Sequence, residues 1–338
     1  MTHVFIPTHM ARPAALPVGA YIEDFCGATM GTTWSVKLVR PQHISAAQLQ
    51  TGMQQALDQV VEQMSTWLPD SDISRFNQAA AGSWHVLPPE FFKVLDYGLF
   101  IAQQSSGAYD PGIGHLVTLW GFGPEKSTRQ IPSKALLEQA QRQSGYQQLQ
   151  VDRQKHSVYQ PGGLSIDLSS IAKGFGVDQV ARYLEAQGVV SYLVEVGGEL
   201  RGLGTKPDNT PWWVELEQPQ TTHPASIVAL HGLSIATSGD YRRYFDHDGQ
   251  RFSHTIDPRT GYPVAHDLAA VTVLHAECMI ADALATAMTV MGLAQGMAYA
   301  NQLHVAALFV CRDKTSKRSD MPAFTEHMSN ALIAMLDE

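Results

Sequence analysis

The sequence is poor in charge and in cysteine. Charged residues make up 16% of the 338 residues and hydrophobic residues 44%, whereas about 25% of an average globular chain is charged. An ordinary apolar content with so little charge excludes an intrinsically disordered chain. The three cysteines, Cys26, Cys278 and Cys311, form no C-x-x-C pair, so they support neither a disulfide framework nor a thiolate zinc site.

Positive charge is scarce as well, and no segment concentrates it. The 23 Lys and Arg residues are outnumbered by 32 Asp and Glu residues, which gives a net charge of −9. Without a basic cluster there is no electrostatic footprint for a nucleic acid, so we predict no nucleic-acid partner. A pocket for a single phosphate group stays compatible with this composition.

Several common catalytic signatures are missing too. The chain has no G-x-x-x-x-G-K-[ST] phosphate loop, no G-x-G-x-x-G dinucleotide fingerprint and no G-x-S-x-G nucleophile elbow. Its 14 histidines include no H-E-x-x-H pair, so a zinc hydrolase has no support.

The sequence shows neither a signal peptide nor a membrane span. Three prolines interrupt the first 26 residues, which contain no basic region followed by an apolar one. The most apolar stretch, residues 268–310, is broken by acidic and histidine side chains and is predicted not to span a membrane. As written, the chain is predicted to be cytoplasmic. A periplasmic or membrane-associated protein is the alternative if a signal has been removed.

Hydrophobic periodicity predicts a mixed α+β (α/β) fold, because strand-like runs form clusters and helices stand between the clusters. We divide the chain into an extended, Pro-rich lead-in over residues 1–26 and one domain over residues 27–338. Two lobes with the ligand site between them are one arrangement open to that domain. Predicted strands cover residues 30–39, 149–152, 164–168, 189–196, 199–203, 212–217, 227–230, 233–237, 268–274 and 304–311, and predicted helices cover 46–68, 90–105, 133–145, 169–188, 277–291, 294–303 and the C-terminus.

Four short polar clusters carry candidate chemistry. In the first, Asp167 to Gly174, a strand-like run ends and a helix begins, so the free N–H groups of the helix start could bind an anion such as a phosphate. Lys173 in the first turn opposes the helix dipole, and a bound anion would compensate for that placement. The alternative is a capped helix start with a solvated lysine.

The second cluster pairs Asp282 with Thr286 on a predicted helix. Residues four apart share one helix face. A carboxylate and a hydroxyl that point together offer hard oxygen ligands to Mg²⁺, which needs few protein ligands. The alternative is structural, with Asp282 favoured by the helix dipole and the Thr286 hydroxyl bonded back to its own helix.

The other two clusters lie on predicted loops. His254 stands at a strand end beside a turn marked by Pro258 and Gly261, where an imidazole could move protons. Residues 107–112, with Trp67 upstream, offer aromatic rings and an aspartate to a planar heterocycle. A hydrogen-bonded structural histidine, and a core aromatic beside a turn aspartate, are the alternatives. Together the four clusters are parts for metal-assisted chemistry on a nucleotide diphosphate.

Seven motifs in one order resemble the FAD:protein FMN transferase (ApbE) family. The resemblance covers roughly residues 28–310, and the ordered set is more specific than any single motif. The motifs are Met30-Gly31-Thr32, Ala108-Tyr109-Asp110, Asp167 through Gly174, Val196-Gly197-Gly198, Ala236 through Tyr241, His254-x-Ile-Asp-Pro and Ala281 through Thr286.

The resemblance implies an enzyme with T-fold-type sheets packed with helices. In this family a Mg²⁺-dependent reaction splits FAD at its pyrophosphate, attaches FMN to a Thr or Ser hydroxyl of an acceptor protein and releases AMP. The implied Mg²⁺ ligands are Asp282, Thr286 and the backbone carbonyl of Ser170. The implied FAD-binding residues are Met30, Trp67, Ala108, Tyr109, Asp110, Asp167, Lys173 and Ile256.

His254 is the candidate catalytic residue, either as the base for the acceptor hydroxyl or as the group that orients the acceptor. Asp240 is a weaker alternative base. Asp257 could orient His254 or hold the turn, and we interpret it as a turn residue. Trp67 departs from the family, since relatives carry other residues at this position. The position resembles a switch between protein flavinylation and FAD hydrolysis, and an aromatic ring there favours transfer.

The predicted partners are FAD and an acceptor flavoprotein with an exposed Thr or Ser motif. Many relatives act outside the cytoplasm on subunits of membrane redox complexes, whereas a cytoplasmic form would modify a soluble flavin reductase. Two other functions stay open: a Mg²⁺-dependent FAD pyrophosphatase that gives FMN and AMP, and a non-catalytic FAD-binding protein. Intact Asp282, Thr286 and His254 argue against the second of these.

Overall fold

The computed structural model describes residues 3–8, 10–124, 130–217, 219, 226–241, 243–313 and 323–336. The chain forms two compact units, one of residues 1–58, 173–239 and 267–338 and the other of residues 59–172 and 240–266. The strands are β1 (Val4–Phe5), β2 (Ile22–Thr29), β3 (Thr32–Val39), β4 (Ser83–Val86), β5 (Gln150–Asp152), β6 (Ser157–Gln160), β7 (Tyr192–Val196), β8 (Glu199–Leu203), β9 (Trp212–Glu215), β10 (Ile227–Leu230), β11 (Leu233–Gly239), β12 (Tyr244–His247), β13 (Gln250–Ser253), β14 (Ile256–Asp257), β15 (Tyr262–Pro263), β16 (Leu268–His275), β17 (Ala306–Asp313) and β18 (Ala323–Met328). The helices are α1 (Ala46–Met64), α2 (Asp72–Asn77), α3 (Pro89–Gln104), α4 (Gly114–Leu119), α5 (Lys134–Arg142), α6 (Ala172–Ala186), α7 (Cys278–Gln302) and α8 (Asn330–Ile333), with one 3₁₀ turn at Tyr146–Gln148.

The first unit is built on an eight-stranded antiparallel sheet in the order β18-β17-β16-β11-β8-β7-β3-β2. Alternate residues of β3 and β7 are buried, so one face of the sheet lies on the core. Side chains spaced three and four apart on α1 and α6 pack against that face. Helices on a face of an antiparallel sheet confirm the predicted mixed α+β class. The sheet side of this core contains Trp34, Val36, Leu38, Tyr192, Val194 and Val196, and the helix side contains Leu49, Met53, Leu57, Val177, Val180 and Leu184.

Helix α7 is a long and apolar helix of the first unit. By length and composition alone it could cross a membrane, yet 72% of its most apolar window is buried inside the protein. It packs against β11, β16 and β17, as the core helix of a folded unit does. Gly292 has φ 75° and ψ 176° and interrupts the helix at the gap that the sequence predicts between residues 291 and 294.

The N-terminal residues contribute strands as well as an extended segment. Strand β1 pairs in parallel with β10, which in turn pairs with β9, and the Phe5 side chain is fully buried. The predicted boundary after residue 26 falls inside β2. Only Phe25 and Thr29 are buried in this strand at the edge of the sheet, so its apolar alternation is too weak to mark it in the sequence.

The second unit combines a three-stranded sheet, β4-β6-β5, with the hairpins β12-β13 and β14-β15. Helices α4 and α5 and both hairpins contribute to one core cluster in this unit. Its buried members are Leu116, Trp120, Leu137, Ala140, Phe245, Phe252 and Ile256.

The predicted strand over residues 164–168 is wrong, although most of these residues are buried. The side-chain amide of Asn77 bonds both the N–H and the C=O of Ile166, at 2.8 and 2.9 Å. Gln160 does the same for Leu164, with both bonds at 3.0 Å. Side-chain amides therefore satisfy a backbone that the burial pattern assigned to a sheet.

Several short or edge strands, β4, β6 and β18 among them, were not predicted. The predicted C-terminal helix is reduced to the four residues of α8. Strand β18 pairs with β17 along the edge of the large sheet. Its sequence mixes polar and apolar residues, which is ordinary for an exposed edge strand.

Candidate active site

The segment that leads into α6 is held by its own aspartate. Asp167 Oδ1 accepts hydrogen bonds from the backbone N–H of Ser169 at 2.8 Å and from its hydroxyl at 2.6 Å. This turn keeps Ser169 and Ser170 out of the helix, which begins at Ala172 rather than at the predicted serines. Asp167 is itself buried, 7% exposed.

Asp282 lies near the start of α7 and is almost completely buried, with 6% exposure. Its Oδ2 accepts the backbone N–H of Gly174 at 3.1 Å. The Asp282 carboxylate therefore lies where the sequence predicts an anion, at the start of α6, and the helix N-terminus stabilises its negative charge. Burial raises the pKa of Asp282, and the nearby Lys173 ammonium opposes that rise.

Lys173 is not the solvated lysine of the alternative interpretation. Its ammonium contacts Oε1 of Glu199, and only 33% of its side chain is exposed. Glu199 is 2% exposed, and burial raises its pKa to about 7, although Lys173 lowers it. Glu199 was not among the site residues predicted from the sequence. The available signal was an acidic residue directly after the Gly197-Gly198 turn, at the head of a strand with buried neighbours.

Thr286 follows Asp282 by one helical turn on the same face of α7. The Thr289 hydroxyl donates to the carbonyl of Ala285 at 2.8 Å. The Thr286 hydroxyl, in contrast, makes no hydrogen bond within the part of the chain that the structure describes. The back-bonded alternative for Thr286 is therefore not realised, and its oxygen is available to a ligand.

These residues fit the small hard cation that the family resemblance implies. Among the described residues, no group of three or more His, Cys, Asp or Glu side chains could hold a metal, so a site rich in carboxylates or imidazoles is not supported there. Mg²⁺ needs fewer protein ligands than such a site provides, since it keeps several waters and binds one or two carboxylates. Two buried carboxylates, Glu199 and Asp282, share one ammonium here, which leaves an excess of negative charge.

Removing the Thr286 hydroxyl tests this donor set. Thr286→Val keeps the shape of the side chain and should weaken Mn²⁺ binding, measured by electron paramagnetic resonance on the FAD-free protein, about tenfold. Thr289→Val on the same helix is the matched control, because its hydroxyl is bonded to Ala285. Equal Mn²⁺ affinity in the Thr286 variant and the wild type would remove Thr286 from the site.

Met30 occupies a two-residue turn that joins β2 and β3. Met30 and Gly31 have φ of 48° and 70°, the left-handed values that a tight hairpin needs and that a non-glycine residue adopts only uncommonly. The Met30 methyl group would lie 3.0 Å from a Cβ placed on Gly176. Met30 thus contacts α6 within one turn of Lys173.

In the second unit, the loop of Ala108, Tyr109 and Asp110 is buried, with exposures of 1%, 2% and 9%. The burial of the Tyr109 ring favours the core interpretation for this side chain. Asp110 accepts the N–H of Gly112 at 2.7 Å and of Tyr146 at 3.0 Å. Burial raises its pKa to about 6 in spite of these bonds.

Two of the predicted polar clusters meet within this unit. The backbone N–H of Asp167 donates to the carbonyl of Pro111 at 2.9 Å, which places the 108–111 loop beside the turn before α6.

Trp67 differs from these buried residues, because 63% of it is exposed, so its ring is open to a ligand. Ile256 is 4% exposed in the core cluster with Trp120, and its side chain serves packing.

His254 follows β13 and is half-buried. Its backbone N–H and its Nδ1 both approach the carbonyl of Arg243, at 3.1 and 3.0 Å. An Nδ1–H donated to a carbonyl fixes the neutral tautomer in which Nε2 is the basic nitrogen. The ring also stands edge-on to Phe122, with 6.2 Å between the ring centroids.

The turn interpretation of Asp257 agrees with its contacts. Both carboxylate oxygens accept from the Arg259 guanidinium at 2.8 Å, and its carbonyl accepts the N–H of Gly261 at 2.8 Å. Asp240, the weaker candidate base, is 9% exposed. Its burial makes it less accessible to an acceptor protein than the half-buried His254.

Comparison with known proteins places this geometry in a family. The model of the ApbE family matches residues 30–309. The chain is similar to the FAD:protein FMN transferase of Vibrio cholerae serotype O1, with 40% identity over 289 residues that cover 85% of this chain and 86% of the relative. The FAD:protein FMN transferase of Haemophilus influenzae is 39% identical over 295 residues, with 85% of each chain covered.

Solved structures agree with the sequence comparison. The apo form of the Pseudomonas stutzeri flavinyl transferase ApbE is 38% identical, with a TM-score of 0.85 and coverage of 94% of this chain and 97% of that chain. The flavin transferase ApbE from Vibrio cholerae is 36% identical, also with a TM-score of 0.85, and covers 94% of this chain and 100% of its own.

Proposed function

Because the chain belongs to the ApbE family, we propose that it is an FAD:protein FMN transferase. It transfers FMN from FAD to a Thr or Ser hydroxyl of an acceptor protein and releases AMP. The observation that carries the proposal is the arrangement around Asp282. Its buried carboxylate, from α7, accepts the Gly174 N–H at the start of α6 beside Lys173, and the Thr286 hydroxyl follows Asp282 by one turn of α7.

Asp282 and Thr286 would hold Mg²⁺, and the backbone carbonyl of Ser170 is the third proposed ligand. The ion would supply charge neutralisation at the pyrophosphate oxygens. Asp282 has the right character for this role, because its buried carboxylate gains from a nearby cation. Ser170 contributes only its backbone, so its side chain is free to vary.

The protein's own groups account for the remaining steps. Lys173 is a partly exposed ammonium, suited to a pyrophosphate oxygen. His254 Nε2 accepts the proton of the acceptor hydroxyl while the hydroxyl oxygen bonds to the phosphorus of the FMN moiety. The bond from that phosphorus to the bridging oxygen breaks, and AMP leaves with the bridging oxygen.

The exposure of the remaining side chains indicates how each of them would contact FAD. Trp67 is exposed and offers a ring for stacking on the isoalloxazine. Ala108, Tyr109 and Ile256 are buried, so we assign them to shaping the pocket and presenting backbone groups. Three residues complete the proposed set: Met30, Asp110 and Asp167.

The acceptor is proposed to be a flavoprotein that exposes the modified residue. Either a subunit of a membrane redox complex or a soluble flavin reductase meets this description. A cytoplasmic location favours the soluble acceptor, and a periplasmic or membrane-associated one favours the membrane subunit.

His254→Asn tests the proposed base. Asparagine keeps an N–H donor for the Arg243 carbonyl and removes the basic nitrogen. We expect the rate of FMN transfer to fall about 100-fold to 1000-fold, with FAD affinity unchanged in fluorescence titrations. His247→Asn, at an exposed histidine of β12, is the control. A full transfer rate in the His254 variant would move the base to another residue, with Asp240 next in line.

The function is tested by mass spectrometry after incubation with FAD and Mg²⁺. The sample contains a candidate acceptor with an exposed Asp-x-x-Thr-Gly-Ala-type segment, and AMP is also measured without acceptor. We expect the acceptor to gain the mass of FMN minus water, with one AMP for each modification. AMP release at the same rate without acceptor would favour an FAD pyrophosphatase, and bound FAD without AMP would favour a binding protein.

A further inference from the structure

The Gly197-Gly198 turn places a buried carboxylate beside the proposed site. Both glycines have left-handed φ, 59° and 101°, and a Cβ on Gly197 would lie 2.8 Å from Cγ2 of Thr32. Glu199 follows at the head of β8, with only 2% exposure. A carboxylate buried to this degree costs free energy unless its charge is compensated, and none of the steps proposed for FMN transfer uses Glu199.

Only one of the two carboxylate oxygens of Glu199 has a side-chain partner among the described residues. Oε1 contacts the Lys173 ammonium. Oε2 is buried and has no hydrogen-bond partner among the described residues. Lys173 is followed directly by Gly174, whose backbone N–H donates to Asp282 Oδ2 at 3.1 Å, and the lysine charge acts on both carboxylates. The three side chains therefore form one electrostatic group with a formal charge of −1.

We propose that Glu199 is a positioning residue that keeps Lys173 from neutralising Asp282, and thereby preserves the metal affinity of the site. It holds the lysine ammonium as its own counter-ion, so that the Asp282 carboxylate stays available to a divalent cation. A cation of charge +2 changes the group from −1 to +1, which then suits a doubly anionic pyrophosphate. Because the group is negative before the cation binds and positive afterwards, we expect the metal to bind before FAD. This inference rests on the function proposed above.

The test measures metal binding rather than turnover. Mn²⁺ is titrated into the full-length, FAD-free protein at pH 8 and followed by electron paramagnetic resonance. Glu199→Gln preserves the shape of the side chain and leaves the lysine charge uncompensated beside Asp282. We expect its Mn²⁺ affinity to fall about tenfold. Glu185→Gln is the matched control, because it removes one acidic charge from the same unit where the carboxylate pairs with Arg201.

A double variant separates charge from structure. Lys173→Met combined with Glu199→Gln restores the formal charge of −1, and we expect Mn²⁺ affinity within about twofold of the wild type, while FAD binding stays weak. Thermal unfolding of each variant shows whether the fold is intact. A double variant that binds Mn²⁺ as weakly as the single Glu199 variant would overturn the proposal, since Glu199 would then act as a ligand or as a packing group.

Wild-type Mn²⁺ affinity in the single Glu199 variant would also overturn it. Neither result depends on FMN transfer, because FAD and acceptor are absent from the titration. Failure of the acceptor experiment with intact Mn²⁺ results would therefore reject the transferase function and leave the charge relation standing. Loss of the Mn²⁺ relation with intact flavinylation would reject only the role of Glu199.

Discussion

Replacing Asp282 by asparagine is expected to lower the rate of FMN transfer at least about 1000-fold, because the proposed metal loses its only charged ligand. The substitution is nearly isosteric, and the amide oxygen can still accept the N–H of Gly174, which now lies 3.1 Å from Oδ2. Burial favours the neutral side chain, so the fold should be kept or slightly stabilised. Transfer is measured by the mass of the acceptor at saturating Mg²⁺, and the fold by thermal unfolding.

An aspartate with an ordinary environment serves as the control. Asp246→Asn changes a carboxylate that is 59% exposed and pairs with Arg251 on the β12-β13 hairpin, and it should transfer FMN at the wild-type rate. A wild-type rate in the Asp282 variant at saturating Mg²⁺ would reject the assigned metal site. Asp282→Ala is less informative, since it also leaves the Gly174 N–H without its acceptor.

The parts of the site that could be predicted from the sequence are those with local signatures. The i, i+4 spacing of Asp282 and Thr286 defines a shared helix face wherever the helix lies, and the run of apolar residues around them marks α7. Asp257 beside Pro258 and Gly261 marks a turn for equally local reasons. The ordered motifs then identified the family, which the comparisons confirm.

The parts that escaped prediction depend on contacts distant in sequence. Glu199 meets Lys173 across 26 residues, and the Gly174 N–H meets Asp282 across 108, so neither pairing has a sequence period. The segment over residues 164–168 has the burial of a strand, and only Asn77, 89 residues away from Ile166, decides otherwise. For Tyr109 the sequence left a stacking ring and a core aromatic both open, and the burial of the side chain, which decides between them in favour of the core, depends on tertiary packing.

The start of α7, which carries the two proposed side-chain metal ligands, is held by a carboxylate from α6. Asp178 is completely buried. Its Oδ1 accepts the N–H of Cys278 at 3.0 Å and its Oδ2 accepts the N–H of Met279 at 2.9 Å. The residue before the helix, Glu277, makes no side-chain cap of its own. Asp178 therefore caps α7 from another helix and stabilises its positive end.

The same carboxylate neutralises Arg201, whose Nη1 lies 2.7 Å from Oδ1 and whose side chain is 17% exposed. Asp178→Ala would leave two helix N–H groups without acceptors and a largely buried guanidinium without its main partner. Breaking a buried charge pair by removing one member costs about 3–5 kcal/mol, and we expect this loss in the free energy of unfolding of the first unit, measured by urea denaturation.

Asp24→Ala is the control for the loss of unfolding free energy expected in Asp178→Ala. Asp24 also pairs with a basic residue, Lys37, but 65% of its side chain is exposed, and such surface pairs contribute about 0–1 kcal/mol. Asp178→Asn should fall between the two alanine variants, because one amide oxygen can still accept from the start of α7. A loss below about 1 kcal/mol for Asp178→Ala would mean that water or Glu277 caps α7 equally well. The position of Asp282 would then not depend on α6 through this carboxylate.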